Sequence, residues 1–306
     1  MSIAKQAQSF RLAHLSDLHF SKVCWSPMQF LSKQWIGNAN LLFRRIREFQ
    51  HDQIHQLAEY FKQLQIDYVL VSGDLSTTSQ PYEFEQARLF LNKLESDNIE
   101  VITLPGNHDH YTKKDFKTKK FYEYFNTNFF QTNLPFAQYN LKDHKVSVKQ
   151  LSPSYWLLAL DTALATPLFA CHGSFSEEIE ATLRTILTLI PADDTVIIAN
   201  HFPLFTCDSQ RKHLQGDDRF RKLLQEFQNI KFYMHGHTHR HCIADLRNAG
   251  LPILLDAGCA SHKTSGSWNL LDFSHSSCTV KPYYWNQGAD GTPCWMEKKP
   301  TVFNLK

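Results

Sequence analysis

Five short polar motifs, each directly after an apolar strand-like run, constrain this chain more than any other feature. They are Asp17-x-His19 after RLAHLS, Gly73-Asp74 after DYVLVS, Gly106-Asn107-His108-Asp109 after IEVITLP, Asn200-His201 closing TVIIAN, and Gly236-His237-Thr238-His239 after KFYMH. In open sheets of parallel strands, ligands bind at the carboxyl ends of the strands. All five motifs occupy such ends, so side chains spread over more than two hundred positions can meet on one rim.

Around the motifs, strand-like runs alternate with helical patterns. Strands are expected at 11–15, 67–72, 99–104, 155–160, 195–200 and 231–235, with a short one at 145–151. Leu42, Ile46, Ile54, Leu57, Phe61 and Leu64 recur at helical spacing over 39–65. A helix over 81–96 opens on Pro81, a favoured early helix residue. Ser176 caps another over 177–190, with Glu177 and Glu178 where they suit the helix dipole. The stretches 113–130 and 217–229 also read as helical, and strand runs follow at 252–257, 267–273 and 278–285. Such alternation predicts stacked layers: a mostly parallel sheet fed by right-handed crossovers, with the late strands forming a second sheet packed on it. No linker or repeat interrupts the chain. Residues 1–306 therefore read as a single domain, with a variable segment at about 22–50 and a Pro-containing tail at about 286–306.

The composition is that of a globular protein: 306 residues, 42% hydrophobic and 20% charged. A formal net charge of +2 makes no global electrostatic case for nucleic acid. Seven cysteines, scattered and without a C-x-x-C, fit reduced thiols in a cytosolic protein better than a disulfide framework or a zinc finger. The N-terminal stretch has no apolar core of signal-peptide length, and no run approaches the ~18 apolar residues of a membrane span. A cytoplasmic location is expected.

Taken singly, several motifs have plain explanations. Asp17-x-His19 is also what a capping Asp beside a surface His looks like. Gly73-Asp74 matches an ordinary turn, and a lone His201 is usually structural. The other two are more specific. Gly106 permits a tight turn out of its strand, and Asn107 brings a neutral amide oxygen. His237 and His239, at i and i+2 on a turn, can each reach a different cation. Asp74 supplies what only a carboxylate does well, two oxygens able to bridge two cations.

In this order, each after a strand, the motifs resemble the calcineurin-like metallophosphoesterase family over residues 12–239, with all five blocks intact. The resemblance implies an α/β fold, a four-layer α-β-β-α sandwich of two packed mixed sheets flanked by helices, and a dinuclear metal-dependent phosphoester hydrolase. By similarity, one metal is held by Asp17, His19, Asp74 and His239. The other is held by Asp74, Asn107, His201 and His237, with Asp74 and a water or hydroxide bridging the two. His108 would sit by the substrate phosphate and Asp109 would orient it; these are the implied catalytic residues. The mixed N/O ligand set suits two divalent or trivalent ions of Mn, Fe, Zn or Co. Cations ~3.5–4 Å apart hold phosphate oxygens and stabilise an in-line displacement. A water between them loses a proton near neutral pH, and His108 can protonate the leaving alkoxide.

The overall look is nearest the bacterial members that resemble class III cyclic-nucleotide phosphodiesterases, with UDP-diacylglucosamine hydrolase-like members as the rival. The expected function is thus a phosphodiesterase or pyrophosphatase acting on a small nucleotide-type or lipid-linked substrate. One alternative is a nuclease on single-stranded nucleic acid, for which Lys and aromatics mix over 111–130 but the charge is thin. The other is a catalytically silent metal-binding scaffold, which should show eroded ligand blocks. Phe30, Trp35, Leu42, Phe43, Ile46 and Phe49, with Arg44, Arg45 and Arg47, form either a core-facing helix with a basic outer face or a substrate lip. Such a lip could make peripheral membrane contact through 28–47. His235 reads as a buried neighbour of the site and Asp161 as a structural hydrogen-bonding residue, while His110, His172 and His241 could line the pocket but read rather as surface histidines.

Overall fold

The computed structural model describes residues 9–21, 48–127, 135–167, 170–206, 211–288 and 290–305. The first half contains β1 (Phe10–Leu15), α1 (Asp52–Gln63), β2 (Tyr68–Val71), α2 (Pro81–Ser96), β3 (Glu100–Thr103), α3 (Lys113–Lys117), α4 (Phe121–Tyr124), α5 (Leu141–His144), β4 (Val146–Ser152) and β5 (Tyr155–Leu160). There follow β6 (Gly173–Ser174), α6 (Glu177–Leu189), β7 (Thr195–Ala199), β8 (Leu214–Gln215), α7 (Asp217–Glu226) and β9 (Ile230–His235). The last strands are β10 (His241–Asp245), β11 (Ile253–Ala257), β12 (Ser267–Phe273), β13 (Ser277–Gln287), β14 (Pro293–Glu297) and β15 (Thr301–Asn304).

Two mixed sheets stack face to face. One has the order β14-β13-β12-β1-β2-β3, with β15 on β13; the other runs β10-β11-β9-β7-β5-β4. Strands β1, β2 and β3 are mutually parallel, as are β5, β7, β9 and β11. Side-chain alternation along each strand produces the layers. In β1, Leu12 points between the sheets, toward the layer of Leu70, Ile102, Leu157, Ile197, Phe232 and Met234. Ala13 and Leu15 point the other way, onto Leu57, Phe61, Phe84 and Leu91 of α1 and α2. On the far side, Leu158, Ile198 and Tyr233 meet Leu183, Phe220 and Leu224 of α6 and α7. Because both faces of the central strands are covered, these segments read as continuous apolar runs.

Local signals at helix starts act as expected. Pro81 occupies the first turn of α2, where Gln80 and Glu83 form a reciprocal cap. The Ser176 hydroxyl accepts from the Ile179 N–H at 3.2 Å and opens α6.

Three expectations need correction. The late strands do not form a sheet of their own. Strand β11 lies parallel to β9 in the second sheet, whereas β12 pairs antiparallel with β1 and carries β13, β14 and β15 onto the first sheet. The crossing between sheets falls after Gly258, at φ +73°. Nor is 39–65 one helix. Residues 39–47 lie outside the described residues, and Phe49 pairs antiparallel with His262, with Gln50 N–H bonding Ser261 O at 2.8 Å. This extended bridge ends the helical pattern before α1. Finally, 113–130 holds two short helices, α3 and α4, with 128–130 outside the described residues.

Candidate metal centre

Each motif leaves the carboxyl end of a parallel strand: Asp17 after β1, Asp74 after β2, Asn107 after β3, His201 after β7 and His237 after β9. Adjacent sheets thereby deliver their donors to one rim. The turns are sharp. Asp17, His19, Asp74, His237 and His239 adopt φ of +56°, +44°, +54°, +68° and +57°. Left-handed backbone is uncommon for residues with a Cβ, and its clustering at one spot marks a function that the rest of the fold supports.

Two glycines make room for this geometry. A Cβ on Gly106 would lie 2.2 Å from Asp74 Oδ1, and one on Gly236 would lie 1.8 Å from Ser16 Oγ. We expect Gly106→Ala to displace the Asp74 carboxylate, costing about 1–3 kcal/mol of stability through overpacking. It should also weaken metal binding by roughly 10–100-fold, the usual effect of disturbing a ligand's support. Thermal unfolding and metal titration would measure the two effects.

Among the described residues the candidate donors form three groups, of which two share Asp74 and the third joins His19, His239 and Cys259. Asp17, His19 and Asp74 bring one ligand atom each within 4.8 Å of one another, and so do Asp74, His201 and His237. In the first group His239 Nε2 lies 3.0 Å from Asp17 Oδ1 and 3.1 Å from His19 Nε2, which is 3.4 Å from Asp17 Oδ1. In the second, His201 Nε2 is 3.4 Å from Asp74 Oδ2 and 3.2 Å from His237 Nδ1. Backbone contacts tie the groups together. His108 N–H donates to Asp74 Oδ1 at 2.8 Å, and His237 N–H donates to Asp17 Oδ2 at 3.0 Å. Asn107 is 7% exposed on the turn beside Asp74.

The electrostatics call for cations. Burial opposes ionisation of Asp17, yet the imidazoles of His239, His19 and His201 hold it well below the usual carboxylate range. Burial works against Asp74 too, and His201, His108 and His19 overcome it. Burial and the neighbouring His201 push His237 down to about 3, which keeps its ring neutral and able to donate a lone pair. The carbonyl of Ser72 can only accept, so His201 Nδ1, 2.8 Å away, carries a hydrogen and turns Nε2 into the site. Among the described residues, the buried Asn107 Oδ1 accepts no hydrogen bond, and Asp17 Oδ1 has only the imidazoles of His239, at 3.0 Å, and His19, at 3.4 Å, beside it. Buried acceptors rarely stay unpaired, and a cation is a partner that such oxygens and the neutral His237 ring fit. Against burial, the Asp74 carboxylate pushes His201 up to about 9, so a cation there would displace its proton.

His108 stands edge-on to His19, with ring centroids 5.1 Å apart, and stacks on Tyr111 at 5.7 Å. The resemblance implied that Asp109 orients this ring. Instead the Thr77 carbonyl faces His108 Nδ1 at 2.6 Å. Asp109 spends its oxygens elsewhere: Oδ2 accepts from Leu75 N–H at 3.1 Å and Gly106 N–H at 3.0 Å, while Oδ1 accepts from the N–H and hydroxyl of Ser76, both at 2.9 Å. It pins the loop after β2 to the loop after β3, and burial together with the Asp74 charge pushes it up to about 6.

Other residues differ from their sequence reading. His110 is 1% exposed rather than on the surface, packed against Phe116 and 3.7 Å from Asp161. His241 is half-buried and bonds Asn269 and Tyr284, both at 2.7 Å. Asp161 is the hydrogen-bonding residue expected, accepting from Tyr122 OH at 2.5 Å, from Ala163 N–H at 3.1 Å and from Lys145. His235 is buried next to the site, 3.5 Å from Asp256. Phe49, whose ring stacks on His19 at 4.6 Å, carries no motif and appeared in the sequence only as part of an apolar face.

The family profile of the calcineurin-like phosphoesterases matches residues 10–241, which contain every motif above. The chain belongs to this family. Calcineurin-like phosphoesterases are metal-dependent hydrolases of phosphoesters, in keeping with the two donor groups. Among curated proteins, the chain is similar to the glycerophosphodiester phosphodiesterase GpdQ of Enterobacter lignolyticus (strain SCF1), 24% identical over 245 residues, covering 79% of this chain and 76% of that protein. It is also similar to a 3',5'-cyclic-nucleotide phosphodiesterase of Nostoc sp. (strain PCC 7120), 24% identical over 178 residues, 58% of this chain and 57% of that protein. A dimetal phosphatase from Danio rerio shares the fold, with a TM-score of 0.65 at 12% identity, covering 97% of this chain and 99% of the other. This phosphoesterase fold is the sandwich of two mixed sheets described above. Among the described residues no helix is long and apolar enough to cross a membrane.

Proposed function

We propose that this calcineurin-like phosphoesterase is a two-metal phosphodiesterase acting on a small, nucleotide-type or glycerol-type phosphodiester. The observation that carries the reading is the shared carboxylate: Asp74 belongs to both donor groups, Asp17-His19-Asp74 and Asp74-His201-His237. Asp17, His19, Asp74 and His239 would hold one metal, and Asp74, Asn107, His201 and His237 the other. When bound, the two cations supply charge stabilisation for a displacement at phosphorus and an activated water.

The chain's own residues do the rest. His108, with Nδ1 against the Thr77 carbonyl, presents Nε2 as the nitrogen that can move a proton. From there the protonated ring delivers a proton to the departing alkoxide. Asn107 adds a neutral oxygen, so the donor set combines two carboxylates, one amide and four imidazoles. That mixture fits Mn, Fe, Zn or Co. The similar proteins named for glycerophosphodiesters and cyclic nucleotides favour a diester over a monoester. A lipid-linked substrate and a membrane contact both depend on 28–47, which lies outside the described residues apart from its flank at Glu48–Gln50. A cytoplasmic setting is supported by Cys242, Cys259, Cys278 and Cys294, which form no disulfide among the described residues.

The test is an activity panel on protein reconstituted with each metal, using a phosphomonoester, a glycerophosphodiester, a cyclic nucleotide, a nucleotide-linked lipid and single-stranded DNA. Metal-dependent turnover highest on a glycerophosphodiester or cyclic nucleotide is the expected result. Preference for the monoester or for DNA would overturn the diester assignment. No turnover on any of them with two metals bound would favour the silent scaffold.

A further inference from the structure

Asp17 and His19 lie on one turn, and both are held in the left-handed region, at φ +56° and +44°. Such backbone is disfavoured for residues with a Cβ, so the turn persists only because its surroundings hold it. The backbone supplies part of the hold: Asp17 N–H bonds Gly73 O, and His19 N–H bonds Asp74 O, both at 3.0 Å. The remainder comes from side chains that reach the two carbonyls from distant segments. Asp17 O accepts from Cys259 Sγ at 3.2 Å and from Ser261 Oγ at 3.0 Å. His19 O accepts from Thr77 Oγ1 at 3.0 Å and lies 3.1 Å from His51 Nε2. Cys259, Ser261 and Thr77 are fully buried. A carbonyl oxygen has two lone pairs, and here each of the two carbonyls meets two donors.

We propose that Cys259 and Ser261 on Asp17, and Thr77 and His51 on His19, are positioning residues that lock these two ligands and so set the affinity of the first metal. The proposal rests on the reading that Asp17 and His19 ligate a metal. It affects the second metal less, because His201 takes its own orientation from the Ser72 carbonyl, although the His237 N–H bond to Asp17 Oδ2 links the two sites. Cys259 has a rival role. Its sulfur lies within 4.8 Å of the ligand nitrogens of His19 and His239, so a thiolate could instead bind the first metal directly. Donation of its S–H to Asp17 O argues for the clamp.

The experiment titrates Co²⁺ into the metal-free full chain and resolves two affinities by calorimetry and visible absorption. Ser261→Ala/Cys259→Ala and Thr77→Val are each expected to lose roughly 10–100-fold at one metal, the size typical of removing a ligand's support, and to keep the other. Cys259→Ser and Thr77→Ser, which retain a donor, should keep both. Should the double variant fail to fold, Ser261→Ala alone is read the same way, with a smaller loss. Unchanged affinities in the clamp variants would overturn the proposal, as would an equal loss at both metals accompanied by a lowered Tm. A sulfur-to-cobalt charge-transfer band present in the wild type and absent in Cys259→Ser would make Cys259 a ligand and remove it from the clamp. A wild-type chain that binds no Co²⁺ would defeat the parent reading instead.

Discussion

Asp74→Asn should abolish metal-dependent turnover, by more than ~10³-fold, while the chain stays folded. The reason lies in what the substitution keeps and removes. Asparagine has nearly the same shape, so its Oδ1 can still accept from His108 N–H, the 2.8 Å bond that ties the loops after β2 and β3. What disappears is the charge and the second anionic oxygen, Oδ2, which lies 3.4 Å from His201 Nε2 and 4.0 Å from His19 Nε2. An amide cannot serve two cations as a carboxylate does. Loss of a group that only supports a ligand already costs about 10–100-fold in affinity or activity, and loss of the carboxylate proposed to serve both metals should exceed it. Elemental analysis should find fewer than two metals per chain, and far-UV circular dichroism should match the parent. Undiminished turnover in Asp74→Asn would contradict the shared-carboxylate arrangement.

His108→Ala should produce the opposite separation: both metals retained and the rate reduced by ~10²–10⁴-fold, the range of a general acid. The ring is edge-on to His19 and stacked on Tyr111 rather than among the donor groups, so its removal leaves every proposed ligand in place. The loss should depend on the substrate. A diester with a poor alkoxide leaving group needs the proton and should suffer most; one with an acidic phenol leaving group should be nearly spared. Uniform losses across leaving groups would remove His108 from proton transfer. Missing metal would reassign it as a ligand.

Much of the local structure is legible in the residues themselves. Strands β1, β2, β3, β5, β7 and β9 coincide closely with apolar runs, because strands covered on both faces cannot alternate with polar residues. Helices α2 and α6 announce their starts through Pro81 and Ser176. Partnering is less legible. The period of β12 and β13 shows which side chains are buried, yet it carries no information on which strand accepts their backbone hydrogen bonds. A second separate sheet and the observed extension of the first from β1 are therefore equally compatible with the pattern. The break at Phe49 is similar: the run through 39–65 keeps helical spacing, and only the distant loop at Ser261–Lys263 pulls the chain into an extended bridge.

The sequence by itself determined the chemistry available. Two aspartates, an asparagine and four histidines, each just past an apolar run, offer the donor atoms of the proposed two-metal site and imply that the strands end together. Only the tertiary structure decided how those donors are held. His108 answers to the Thr77 carbonyl and not to Asp109, His201 to the Ser72 carbonyl, and the Asp17 turn to Cys259 and Ser261. The reason is that the groups doing the holding are mostly backbone carbonyls and left-handed turns. Every residue type carries a carbonyl, so its use as an anchor leaves no mark on the sequence, and its position is set only when two sheets are packed against each other.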